Sequence, residues 1–215
     1  HAGGIYEHLA AVMSYEQLCL LLYDDPELVR AVTDRLGGLM LRVYEQLVEL
    51  DNVIAIFPGD DMGFRSATLL PPDALREYTL PWHTRYAQVA HEHGLPYFLH
   101  SCGNIIEIME DLIETVGIDA KHSYENAIMP ITEFQAEYGE RIGVLGGLDI
   151  DILGRYAPQE TVARHERDED QTAGTQHTGQ LVSGSLPVLR IRQMVEWPQA
   201  QRGVEGTVSP SGQVP

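Results

Sequence analysis

The segment Leu95-Pro96-Tyr97-Phe98-Leu99-His100-Ser101-Cys102-Gly103-Asn104 changes character in its middle. Gly94 precedes an apolar run from Leu95 to Leu99, which stops abruptly at His100, Ser101, Cys102 and Gly103. Behind Asn104 the apolar residues take helical spacing: Ile105, Ile106, Ile108, Met109, Leu112, Ile113. A short apolar run bounded by turn formers reads as a buried strand, and the change of period marks a helix with Asn104 as its N-cap. The segment is therefore strand, polar turn, helix. The strand end delivers an imidazole and a thiol.

The same unit recurs on both sides. Downstream, Gly117 ends the helix. Residues 118–122 form a short strand that runs out into His122, Ser123, Tyr124, Glu125 and Asn126. A helix over 131–138 closes at Gly139, and a strand over 142–147 leads to Leu148-Asp149. Upstream, residues 53–57 are a continuous β-branched run, expected as a strand buried on both faces, ending in Pro58-Gly59-Asp60-Asp61-Met62-Gly63. Pro71-Pro72-Asp73 opens a helix through Ala90, kinked or divided at Pro81. Before that, Asp25 caps and Pro26 starts an amphipathic helix through Leu28, Val29, Val32, Leu36, Val43, Leu47 and Leu50. Gly37-Gly38 is its weak point or close-packing site. Residues 1–16 read as a glycine-led entry: the end of a strand and a loop.

The order β-α-β-α-β-α-β with short connections implies parallel strands. Four successive strands end in polar or glycine residues. A (β/α)8 barrel opens all strand C-termini on one face, whereas an open doubly wound sheet uses fewer of them at a switch point. The expected fold is α/β, a (β/α)8 TIM barrel. Such barrels need about 250 residues, so the expectation is a partial barrel with N-terminal units missing before His1. Residues 1–197 form its C-terminal part and 198–215 a disordered tail. Past residue 157 the pattern weakens, to a helix over 158–167, a patternless stretch over 168–179, a strand over 180–186 and a helix over 192–197.

Net charge is −18, with 32 acidic residues against 14 basic ones, and Lys121 is the only lysine. Such a chain repels phosphate backbones and anionic membrane surfaces, so neither nucleic acid nor membrane is an expected partner. No apolar run has the length of a bilayer span. Two cysteines, Cys19 and Cys102, do not make a disulfide framework, and a reduced, cytoplasmic setting follows.

Collected on one rim, the candidates for chemistry are Asp60, Asp61, His100, Cys102, His122, Glu125 and Asp149. His100 and Cys102, one residue apart in a turn, can reach one metal, and thiolate with imidazole suits zinc. A catalytic zinc needs a further protein ligand, which Asp60, Asp61, His122 or Glu125 could supply. Blander roles compete. Asp60-Asp61 also reads as a turn and cap pair, His122 and Glu125 as polar loop, and Asp149 as a helix cap. His91 and His93 fit a solvated helix end, and Cys19 fits a core position.

The strings His100-Ser-Cys-Gly-Asn104, Gly117-Ile-Asp-Ala-Lys-His-Ser123 and Val144-Leu-Gly-Gly-Leu-Asp149 resemble the uroporphyrinogen decarboxylase superfamily. Leu21-Leu-Tyr-Asp-Asp-Pro-Glu-Leu28 and Tyr78-Thr-Leu-Pro81 fit as well, and the resemblance spans residues 3–160. It implies a (β/α)8 barrel with its site at the C-terminal face. It also implies one of two activities, decarboxylation in the haem pathway or methyl transfer between a corrinoid and a thiol or similar acceptor. The methyltransferase-like branch carries His-x-Cys as zinc ligands, matched by His100 and Cys102, together with a later cysteine that this sequence lacks. The true decarboxylases lack His-x-Cys and use N-terminal arginines that are absent here. The stretch 165–180 does not match the family, and a sequence error there is the expectation.

The leading expectation is a zinc-dependent methyltransferase acting on a small molecule, with the corrinoid carried by a partner protein and a homodimer admitted. His100 and Cys102 are its metal ligands. Asp60, Asp61 and His122 are its catalytic candidates, and Glu125 and Asp149 its substrate-binding ones. The alternatives are a cofactor-free uroporphyrinogen decarboxylase, in which Asp60 stabilises a protonated pyrrole, and a non-catalytic corrinoid-binding protein or inactive fragment.

Overall fold

A computed structural model describes residues 3–146. Three helices open the chain: α1 (Ile5–Met13), α2 (Tyr15–Asp24) and α3 (Pro26–Leu47). The strand and loop expected over 1–16 are therefore helical. The cap of α1 explains the difference, because it comes from far along the chain. Gly4 precedes the helix, and the carboxylate of Asp60 accepts from the backbone N–H groups of Tyr6 (3.1 Å) and Glu7 (3.0 Å). A Cβ on Gly4 would stand 2.1 Å from the Asp60 side chain, so only glycine allows this approach. By contrast α3 is capped locally, where Asp25 Oδ1 accepts from Leu28 N at 3.0 Å and Pro26 takes the first turn.

The second helical stretch runs through α4 (Pro72–Ala74), a wide π turn (Leu75–Thr79) and α5 (Leu80–Glu92). The wide turn lies just before Pro81, whose ring and missing N–H disfavour regular α spacing there. Helix α5 packs on α3 at Gly37. A Cβ there would lie 2.1 Å from Trp82, and Tyr86 Oη donates to the Gly37 carbonyl at 3.1 Å.

Strands β1 (Phe98–His100), β2 (Ala120–His122) and β3 (Gly143–Leu145) form a parallel sheet in the order β1-β2-β3. His100 lies opposite His122, and His122 opposite Leu145. The strand expected at 53–57 is reduced to two parallel bridges beside β1, Ile56 to Tyr97 and Gly59 to His100. Pro58 lies between them and offers a carbonyl but no N–H, which limits the ladder; His100 N donates to that carbonyl at 3.0 Å. The helix expected over 105–116 begins with a 3-10 turn (Ile106–Ile108) and ends in a π turn (Asp111–Val116), stopped by Gly117 at φ 77. Asn104 Oδ1 accepts from Ile106 N at 3.2 Å. The last described helix is α6 (Ile131–Tyr138).

Four parallel segments in chain order bring four C-terminal ends to one edge. Beneath that edge lies a core that includes Ile56, Met62, Tyr86, Tyr97, Leu99, Ile108, Leu112 and Phe134. No helix of the described residues is long and apolar enough to cross a membrane. Asp149, the elements expected over 158–197 and the tail over 198–215 lie outside the described residues.

Candidate metal centre

Asp60 and Asp61 are adjacent but do not meet the same surroundings. Asp60, expected at the substrate face, is fully buried. Besides capping α1, its Oδ2 lies 2.8 Å from His83 Nε2, and His83 Nδ1 lies 2.7 Å from the Tyr97 hydroxyl. A carboxylate accepts, so His83 donates to it through Nε2 and accepts from the Tyr97 hydroxyl at Nδ1. Asp60 thus ties α1, α5 and β1 together under the rim.

Asp61 faces the other way and joins His100 and Cys102. One ligand atom from each lies within 4.8 Å of the other two. His100 Nε2 is 3.3 Å from Asp61 Oδ1 and 3.4 Å from Cys102 Sγ. Tetrahedral zinc with bonds of about 2.0–2.3 Å holds neighbouring ligand atoms about 3.3–3.6 Å apart. The spacing therefore fits zinc, and the donor set of carboxylate, imidazole and thiol suits it. Of the four residues that sequence reasoning left open as a third donor, Asp61 is the one whose ligand atom joins those of His100 and Cys102.

Loop packing sets this geometry. Cys102 N donates to Asp61 Oδ1 at 2.8 Å, and Met62 N donates to Ser101 Oγ at 3.2 Å. A Cβ on Gly103, itself at φ +77, would stand 2.1 Å from Gly63, so two glycines let the loops touch. Cys102 Sγ also lies 3.4 Å from Ser123 Oγ. Burial pushes the Cys102 thiol above its usual pKa and the Asp61 and Glu125 charges add to this, while the Ser123 contact opposes it. A bound cation supplies the opposite charge that would bring the thiol down.

His122 meets the cluster through His100: the two Nδ1 atoms are 2.7 Å apart. Burial holds its pKa below the usual histidine range, and His100 and Lys121 push the same way. Glu125 is occupied at one oxygen, where it accepts from Gly103 N at 2.9 Å. It lines a small cleft with Ile106, Lys121, Tyr124 and Met129.

Lys121, His83 and Tyr97 were missed by sequence reasoning. Lys121 is buried, with Nζ donating to the Ser101, His122 and Ser123 carbonyls at the two strand ends. Its ammonium also lies over the Tyr124 ring, 4.5 Å from the centroid. Burial lowers its pKa to about 8, against the pull of Cys102, Glu125 and Asp61. Its signal in the sequence was a lone lysine inside an apolar strand. The signal for His83 was its place on the buried face of α5 with Tyr86, Ala87 and Ala90.

The family model described as uroporphyrinogen decarboxylase (URO-D) matches residues 1–181. No curated protein matches the chain.

Proposed function

Because the chain belongs to the uroporphyrinogen decarboxylase family, whose members are decarboxylases or methyltransferases, we propose that it is a zinc-dependent methyltransferase. Its sheet is part of a (β/α)8 barrel, and it moves a methyl group between a corrinoid carried by a partner protein and a thiol or similar acceptor. The supporting observation is the convergence of Asp61, His100 and Cys102 at spacings that suit tetrahedral zinc.

Asp61, His100 and Cys102 would hold the zinc ion, which would supply the Lewis acidity for deprotonating an acceptor thiol near neutral pH. The chain's own residues do the remaining work. Asp61 contributes a carboxylate held by the Cys102 N–H, which limits its rotation. Cys102 would give up its proton to serve as a ligand, so metal uptake would release acid. Glu125 and Lys121 line the adjoining cleft, where the acceptor docks. Gly63 and Gly103 keep the two ligand loops in contact.

The decarboxylase alternative routes its chemistry through Asp60. That carboxylate is buried and engaged with the α1 backbone and His83, which favours the methyltransferase reading. The test incubates the zinc-loaded chain with methylcobalamin and a small thiol. Zinc-dependent loss of the methyl–cobalt absorbance, absent in Cys102→Ser, is the expected result. Turnover of a porphyrinogen by metal-free protein would overturn it.

A further inference from the structure

We propose that His122 is a positioning residue for this centre. Its Nδ1 accepts a hydrogen bond from His100 Nδ1–H, which directs His100 Nε2 at the metal. The inference rests on the zinc reading above and assigns His122 a role other than ligand or proton-transfer group.

The two Nδ1 atoms are 2.7 Å apart, a separation that holds one proton between them. The identity of the donor follows from the far side of His100. Its Nε2 faces Asp61 Oδ1 at 3.3 Å and Cys102 Sγ at 3.4 Å. A metal there takes the Nε2 lone pair, so a neutral His100 ring carries its proton on Nδ1 and donates. His122 must then accept at Nδ1 and keep its own proton on Nε2. The same contact argues against His122 as a fellow ligand through Nδ1, since a lone pair that accepts the His100 proton is not open to a metal.

The His122 ring is held for this task. His100 and His122 are register partners on β1 and β2, with ring centroids 5.0 Å apart. Phe57 meets the His122 ring edge-on, 5.7 Å between centroids. Beyond β3, Gly146 at φ +92 makes room for its outer edge: a Cβ there would stand 3.2 Å from His122 Cδ2 and Nε2. An acceptor behind a metal-binding imidazole fixes the tautomer and raises the basicity of the ligating nitrogen.

The test measures zinc affinity of the full chain by competition with a chromophoric chelator, with the visible spectrum of the cobalt-substituted chain as a check on coordination. His122→Phe keeps a ring but removes the acceptor, and loss of such a partner weakens binding by about 10–100-fold. His122→Asn sets a carbonyl oxygen close to the place of Nδ1 and is expected within a few-fold of wild type with an unchanged cobalt spectrum. Ring 15N shifts are expected to put the proton on Nδ1 in His100 and on Nε2 in His122. Three outcomes overturn the inference while leaving the zinc reading intact: His122→Phe binding zinc like wild type, His122→Asn failing as badly as His122→Phe, or reversed tautomers. A wild-type chain that binds no zinc removes the centre itself and overturns both.

Discussion

Two buried charged residues show how single side chains shape the rim. Asp60 accepts from three donors on α1 and α5. Removing it leaves those donors unpaired, and breaking one side of such a buried pair costs about 3–5 kcal/mol. Asp60→Ala is therefore expected to lose stability of that order in urea titration, while the folded protein keeps its zinc. Unchanged stability would contradict the structural role. Lys121 makes the complementary case. Its pKa of about 8 lies below the ordinary 10.5 because the amine is buried. Between those values the unfolded chain binds more protons, so stability rises with pH across that window and falls as pH drops through about 8. Wild type is expected to gain on Lys121→Met from pH 8 to 10 by up to about 1.4 kcal/mol per pH unit. A flat difference would contradict the burial argument. Neither role was legible in the sequence, because Asp60 meets partners 23 to 54 residues away and Lys121 owes its lowered pKa to burial in the folded protein. The contact between His100 and Cys102 was legible, because two side chains with one residue between them at a strand end meet through local geometry alone.

Among the elements, the contact between α3 and α5 sets two effects against each other. Alanine is the better helix former than glycine by about 1 kcal/mol, which favours Gly37→Ala. The Trp82 ring occupies the position of the new methyl group, and overpacking costs about 1–3 kcal/mol. The clash is the larger effect, so Gly37→Ala is expected to lower the thermal midpoint, whereas a rise would show that Trp82 moves aside freely. The sequence offered this glycine pair as either a weak point or a packing site, and only the neighbouring helix decides. Helices with local signals, such as α3 behind Asp25-Pro26 and α6 before Gly139, were readable in advance. α1 was not, since its cap is Asp60, 54 residues from Tyr6. The segment at 53–57 was overread as a full strand, because an apolar run does not reveal how Pro58 interrupts the ladder.

For the whole molecule, the parallel sheet with its polar strand ends at one edge followed from a repeated pattern: apolar run, polar break, helix. That pattern is set by chain order and crossover geometry, so it survives without side-chain detail. It could not say which rim residues converge. Asp60 and Asp61 look equivalent in the sequence, yet one turns under the rim and the other joins His100 and Cys102. Asp61 and Glu125 stand at the rim of a chain of net charge −18, which favours a cation over an anion as its ligand. The most direct measurement is the metal content of the purified chain by mass spectrometry, beside Cys102→Ser and Asp61→Ala. A zinc centre on Asp61, His100 and Cys102 predicts one zinc per wild-type chain, lost in Cys102→Ser and weakened in Asp61→Ala. A metal-free wild type, or zinc retained at full stoichiometry in Cys102→Ser, would contradict it.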